Sequence, residues 1–400
     1  MSDHVLVINA GSSSLRYSLV EPATGDDIAA GLVERIGEQQ SHHVHRGPSG
    51  EYEDDQAIAS HEDALRAAIS AFESHGPSLD DAGIAAVGHR VVHGGSRFAV
   101  PTLVDDGLIA AVTDLIPLAP LHNPANLEGI KVARRLFPDV PHVAVFDTAF
   151  HQTLQPHAYT YAVPYEWQAD YGIRRYGFHG TSQSFVSEQA ARLLDRDPAE
   201  VNLIVLHLGN GCSATAVRAG RSVDTSMGMT PLEGLVMGTR SGDLDPAIHG
   251  HLAREAGWSI DDIDQALNSN SGLKGLTGDN DFRGLTRRRA AGDERAQLAF
   301  DVYVHRIKKY IGAYYAVLGT VDAIVFTAGV GQHSAELRAS SLENLDRLGI
   351  RVDLVRNTSV PPAGGFVSPD DSPVAVLVVP TNEEWQIARL TLEVLPTTAG

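Results

Sequence analysis

A strand-like apolar run that breaks into a turn of small residues and leaves as a second strand occurs twice in this 400-residue chain, and that recurrence constrains its fold more than any other feature. Val5-Leu6-Val7-Ile8 breaks at Asn9-Ala10-Gly11-Ser12-Ser13-Ser14 and resumes as Leu15-Arg16-Tyr17-Ser18-Leu19-Val20, whose apolar and polar residues alternate. β-branched runs bounded by turn formers read as strands, so this segment reads as a hairpin. Leu203-Ile204-Val205-Leu206, then His207-Leu208-Gly209-Asn210-Gly211-Cys212-Ser213, then Ala214-Thr215-Ala216-Val217 repeat the pattern, with Gly11 and Gly209 standing 198 residues apart. Self-similarity over half the chain predicts one fold used twice. Small residues allow close backbone approach, their amides and hydroxyls bond phosphate oxygens, and Asn9 offers a neutral oxygen to a metal shell. The same residues also simply make tight turns. Because the turn recurs, the sequence predicts two halves with a nucleotide between them.

The length agrees with two domains, which usually run ~100–200 residues each. Lys and Arg number 31 against 50 Asp and Glu, a net charge of −19. Such a field repels phosphate chains, so no nucleic acid partner is expected. An anionic ligand must then be held by a local cluster of cations or by a metal. One cysteine, Cys212, excludes a disulfide framework and a cysteine-rich zinc module, and points to a reducing, cytoplasmic setting. Met1-Ser2-Asp3-His4 lacks the basic start of a secretory signal, and no apolar run approaches the ~18 residues of a membrane span.

Within an acidic chain, cations beside glycines are informative. Arg90 lies in Gly88-His89-Arg90-Val91-Val92-His93-Gly94-Gly95, at or near the end of a strand beginning Ile84-Ala85-Ala86-Val87. Arg174-Arg175-Tyr176-Gly177-Phe178-His179-Gly180-Thr181-Ser182 precedes an apparent helix, and Arg240 lies in a loop of turn formers from Gly238 to Pro246. Each arginine alone reads as a structural ion pair; the three together favour an anion site. Asp147 ends the apolar run Val143-Ala144-Val145-Phe146 and reads as a base, a metal partner or a turn former. Glu383 and Glu384 open a helix after the strand Val374 to Val379, where they either favour the helix start or hold magnesium. The segment Val321 to Ser334 reads as a strand entering a glycine-rich turn, followed by a helix from Ala335 to Leu348. It resembles a dinucleotide fingerprint but reads G-x-G-x-x-S and lacks the acidic partner; no Walker A box is present either. His42-His43-Val44-His45 is expected to be a solvated hairpin or loop, and Arg287-Arg288-Arg289 a charged surface stretch.

Taken in order, these residues resemble the acetokinase family of carboxylate phosphotransferases, within the sugar kinase, heat-shock ATPase and actin superfamily. The resemblance runs nearly end to end, through Asn9 to Ser14, Gly88 to Gly95, Leu118 to Pro124, Phe146 to His151, Arg174 to Ser182, His207 to Gly211, Asp224 to Gly234, Gly238 to Pro246, Thr327 to Gly331 and Thr381 to Glu384. It implies an α/β fold of two ribonuclease-H-like, actin-type ATPase domains flanking a nucleotide cleft. Residues 1–150 with 384–400 would form the N-terminal domain and its returning helix, and 151–383 the nucleotide-binding domain. The implied reaction is reversible transfer from ATP to acetate, giving ADP and acetyl phosphate, with propionate or another short carboxylate as the alternative acceptor.

By resemblance, Asn9 and Glu383 belong to a Mg²⁺ site that could also take Mn²⁺, Arg90 binds the carboxylate, and Asp147, His179 and Arg240 are catalytic. Val92, Leu121, Phe178 and Pro231 would line the pocket for the methyl group. Arg16, His207, Leu208, Gly209, Asn210, Gly211, Asp281, Phe282, Arg283, Gly329, Val330, Gly331, Gln332 and His333 would contact the nucleotide. The family resemblance also implies a homodimer. Three positions depart from the family's usual residues: Arg16 replaces Lys, Gln332 and His333 replace Glu and Asn, and Gln183 replaces His. Acetate is ionised at neutral pH, since a carboxyl pKa lies near ~4, so Asp147 is expected to organise rather than deprotonate.

Overall fold

The computed structural model describes residues 4–395 and divides the chain into two compact units. One runs to Ala149 and resumes at Asn382; the other is Phe150–Thr381.

The first unit contains β1 (His4–Ala10), β2 (Ser14–Glu21), β3 (Asp26–Glu34), β4 (His42–Gly47), β5 (Gly50–Asp54), β6 (Ile84–Val91), β7 (Thr102–Leu103) and β8 (His142–Phe146). They form one sheet in the order β5-β4-β3-β2-β1-β6-β8-β7. β1 pairs antiparallel with β2 and parallel with β6, and β6 pairs parallel with β8. The period of two sends Leu6, Ile8, Leu15, Tyr17 and Leu19 to one face, against the helices His61–His75 and Asn123–Leu136. It sends Val5, Val7, Val20, Val143 and Val145 to the other, where Ile387 and Ala388 of the helix Glu383–Val394 close over them. That helix starts where the Asn382 side chain accepts from Trp385 N–H, and the Trp385 indole donates to Pro22 O at 2.9 Å.

The second unit contains β9 (Asn202–Leu208), β10 (Cys212–Arg218), β11 (Arg221–Thr225), β12 (Ala323–Thr327), β13 (Gly365–Phe366) and β14 (Ala375–Val378), in the order β11-β10-β9-β12-β14-β13. β9 and β12 are buried almost along their whole length, as parallel strands covered on both faces must be. The paths β3-β2-β1-β6-β8 and β11-β10-β9-β12-β14 are the same, including which pairs are antiparallel and which parallel. The two small-residue hairpins thus start two copies of one topology.

Three expectations are corrected. His42 to His45 lies in a hairpin, β4 with β5, but is not solvated throughout: His43 and His45 are 2% and 0% exposed, and both rings bond the Tyr17 hydroxyl, at 2.8 and 2.9 Å. Alternation, not polarity, decides which residues of β4 face inward. Arg287 to Arg289 end the helix Phe282–Ala290, and only Arg287 behaves as a plain surface charge. Arg288 pairs with Asp293 at 2.6 Å, while Arg289 lies 3.5 Å over the Phe300 ring and pairs with Glu336 at 3.0 Å. The glycine-rich turn after β12 is itself a helix, Ala328–His333, and the next helix is Ala335–Leu342 rather than reaching Leu348.

Candidate active site

In the first unit, three neighbouring parallel strands end at a common level. Ile8 is in register with His89, and Arg90 with Val145, so Asn9, Arg90 and Asp147 emerge together at the carboxyl ends of β1, β6 and β8. Open α/β sheets bind ligands at such strand ends. Arg90 donates to Asp147 from Nη2 at 2.6 Å and from Nε at 3.0 Å, while its Nη1 reaches Asn9 Oδ1 only at 3.4 Å. Glu383, from the first turn of the last helix, brings a carboxylate oxygen to 3.9 Å from Arg90 Nε. Burial works against the charge on Arg90, but Asp147 and Glu383 outweigh it and hold its pKa above the usual value. Burial pushes the Glu383 carboxyl up to about 7; Arg90 opposes this, and Asp147 and Glu384 add to it. Arg16 pairs with Glu384 at 3.7 Å, beside a hollow of about 600 Å³ on the same unit.

Two asparagines fix the segment that follows β6. Asn126 accepts from Val92 N–H at 3.0 Å and donates to Ala10 O at 2.7 Å; Asn123 bonds both backbone groups of His93, at 3.2 and 3.1 Å. Both are buried on a helix whose sequence looks merely amphipathic; Asn123 falls in the resembling segment Leu118 to Pro124, but nothing in the sequence marks Asn126. Of the four residues expected to receive the methyl group, Val92 is 8% exposed and Leu121 60%. Phe178 and Pro231 belong to the second unit, where Phe178 is buried and its carbonyl bonds His151 Nε2 at 3.0 Å.

In the second unit, His179 caps the helix Gly180–Leu193 in a left-handed conformation, φ 58°, a strained backbone for a side-chain-bearing residue. Its ring stacks on His207 with centroids 4.2 Å apart, and its Nδ1 bonds Ser213 Oγ at 2.9 Å. His207 and Ser213 are cross-strand partners in β9 and β10, so His179 lies against the second hairpin. A methyl group at Gly211 would come within 3.3 Å of His179 Nε2 and 3.5 Å of Arg240 Nη1. The space that glycine leaves is faced by both donors. Gly238 likewise must lack a side chain, because the Asn210 amide occupies the position a Cβ would take. Arg240 bonds Pro231 O at 3.2 Å, and burial lowers its pKa.

A cavity of about 830 Å³ on this unit is lined by Gly209, Asn210, Asp281, Phe282, Arg283, Gly329, Val330 and His333 among others. That volume suits a small-molecule ligand of nucleotide size. His207, Leu208, Gly211, Gly331 and Gln332 do not line it; Leu208 and Gly331 are buried. Ala328 enters the helix Ala328–His333 at φ 61°, and the buried Arg338 holds the helix end through the carbonyls of Gly331 and Gln332 at 2.8 and 2.7 Å. Arg338 also bonds Asn357 Oδ1 at 2.7 Å. In the sequence it reads as an ordinary helix-surface cation.

The metal expectation has a definite donor set. Among the described residues, no group of three or more His, Cys, Asp or Glu side chains could hold an ion by itself. Asn9 and Glu383 supply oxygen donors only, as a Mg²⁺ that keeps waters and takes phosphate oxygens requires.

A sequence profile of the Acetokinase family matches residues 4–389. The chain is 57% identical over 388 residues to the acetate kinase of Clavibacter michiganensis subsp. michiganensis, covering 97% of this chain and 98% of that one. It is similar to the solved Porphyromonas gingivalis acetate kinase, with TM-score 0.94, 41% identity and 98% and 100% of the two chains covered. It is similar as well to the propionate kinase of Francisella tularensis subsp. tularensis, with TM-score 0.93, 40% identity and the same coverage.

Proposed function

The chain belongs to the acetokinase family, and on that premise we propose that it transfers the γ-phosphoryl of MgATP reversibly to acetate, giving acetyl phosphate and ADP. Its two sheets have the fold of the actin-type ATPases. The observation that carries the reading is the convergence of Asn9, Arg90, Asp147 and Glu383 at the ends of β1, β6 and β8 in a chain that also holds a nucleotide-sized cavity.

Both reactants are anions, so the chemistry is chiefly neutralisation and positioning. Arg90 binds the acetate carboxylate. Asp147 occupies its Nε and one Nη2 proton, which turns the remaining Nη1/Nη2 edge of the fork toward the substrate. Asp147 therefore orients the guanidinium and removes no proton. His179 and Arg240, which face the space above Gly211, donate to the transferring phosphoryl. Residues Gly209 to Gly211, Asp281 to Arg283 and Gly329 to His333 hold the nucleotide, with Arg16 and His207 assisting. Asn9 and Glu383 hold Mg²⁺, which Mn²⁺ could replace; when bound it screens the phosphate charge. Val92, Leu121, Phe178 and Pro231 receive the methyl group. The protein works as a cytoplasmic homodimer.

Propionate is the second reading, favoured by the likeness to a propionate kinase. One methylene changes discrimination by only ~1–3 kcal/mol, so propionate is expected to be turned over less efficiently than acetate. A hydroxamate assay with MgATP and formate, acetate, propionate or butyrate tests this. Acetate should have the highest kcat/KM; equal or better use of butyrate would overturn the assignment.

A further inference from the structure

Gln183 lies in the first turn of the helix that His179 caps, its backbone N–H bonding His179 O at 2.8 Å. Its side chain is fully buried and donates from Nε2 to Ser213 Oγ at 2.8 Å. Ser213 is buried too, and its only other hydrogen-bond partner among the described residues is His179 Nδ1, at 2.9 Å. A hydroxyl has one proton to give. Since the Gln183 amide donates to the Ser213 oxygen, the Ser213 proton goes to His179 Nδ1. Nδ1 is then an acceptor, and the imidazole proton is on Nε2. That nitrogen faces Gly211 and Arg240.

The orientation of the amide decides the direction of this chain. Gln183 Oε1 has no hydrogen-bond partner among the described residues. Turning the amide over would let Oε1 accept from Ser213, but would strand both N–H donors, where the present orientation strands one N–H and the carbonyl oxygen. A buried orphan N–H is rarer than an under-satisfied carbonyl, so the donating orientation holds. The neighbouring ring has a parallel arrangement: His207 Nδ1 bonds Ser182 Oγ at 2.8 Å, and Ser182 bonds Thr381 Oγ1 at 2.8 Å. One helical turn thus serves both stacked imidazoles.

We infer that Gln183 is a positioning residue for the transfer reaction: acting through Ser213, it fixes the tautomer of His179 so that Nε2–H is presented to the transferring phosphoryl. The inference rests on the reading of His179 as a phosphoryl donor. Gln183→Glu is nearly isosteric and reverses the relay, because a carboxylate accepts from Ser213, which then accepts from Nδ1–H. Ser213→Ala removes a single oxygen, and a thermal melt checks that the variant keeps its fold.

The experiment measures kcat and both KM values of the full chain, together with the ¹⁵N spectrum of histidine-labelled protein in which His179→Asn identifies the His179 signals. Both relay variants should lower kcat about 10- to 100-fold, as loss of an imidazole's orienting partner does elsewhere. KM for acetate and ATP should change little, and the His179 proton should move to Nδ1 in Gln183→Glu. The double variant should be no slower than the worse single one. An unchanged tautomer with unchanged kcat would overturn the relay, as would additive losses. If His179→Asn itself leaves kcat intact, the donor role of His179 fails, and the spectrum still reports whether Gln183 sets its tautomer.

Discussion

Arg240 is a half-buried cation in a strongly acidic protein, yet among the described residues its hydrogen-bond partners are only Pro231 O at 3.2 Å and, more weakly, Met237 Sδ at 3.7 Å. Among the described residues no carboxylate pairs with it, whereas Arg90 is balanced by Asp147 and Arg175 by Glu233. A guanidinium kept desolvated without a counterion costs folding energy and is poised for an incoming anion. Arg240→Ala should therefore lower kcat about 10²- to 10³-fold while raising KM for acetate far less, as expected for a group that acts on charge developing in the transition state. The same variant should melt at or above the parent's Tm in a thermal scan. A pure KM effect would refute the role. Residues such as Arg90, Asp147 and Arg240 stand out in the sequence as charges beside glycine or at the end of an apolar run, but each alone also reads as an ion pair or a turn former, and only the family resemblance implies a role. Asn126, Arg338 and Gln183 are not legible: each is a polar residue at an unremarkable helix position, and only tertiary burial reveals what it holds.

Among the elements, β4 departs furthest from its sequence signal and carries a pH dependence. Burial lowers the pKa of His43, and it lowers that of His45 to about 4, with the neighbouring His43 and His75 contributing. The unfolded chain binds protons on these rings near pH 6.5 while the folded chain does not, so in the window from about 6.5 to 4 the unfolded state holds more protons and stability falls as pH falls. For His45 alone the loss is roughly 2–3 kcal/mol. Urea melts at pH 7, 5.5 and 4.5 should show this decline, and His45→Leu should flatten the part of it that carboxylates do not cause. The strands at β1, β2, β9 and β10 were readable because both faces or one clean face of each is apolar. β4 is not, because its inward residues are histidines, which share one tyrosine hydroxyl while His45 Nε2 has no hydrogen-bond partner among the described residues.

For the whole molecule, the repeat of one strand path explains why a doubled architecture is legible in two hairpins: the path is local to each unit, whereas the first unit is discontinuous in sequence, which no hairpin marks. Its second sheet face is covered by Ile387, Ala388 and Trp385, which follow the entire second unit. A chain ending at Thr381 should bind a hydrophobic dye and lose the melting transition of the first unit, while the fragment 150–381 should melt cooperatively; two cooperative transitions in the truncated chain would contradict this. The discontinuity also imposes an order on biosynthesis. A ribosome finishes Phe150–Thr381 before it makes the helix that seals the earlier half, so the nascent first sheet must wait, open on one side, through the synthesis of its neighbour. Glu383, at the start of that late helix, then joins Arg90 and Asp147 in the same event that completes the core, which makes a translation product stopped short of it inactive rather than partly active.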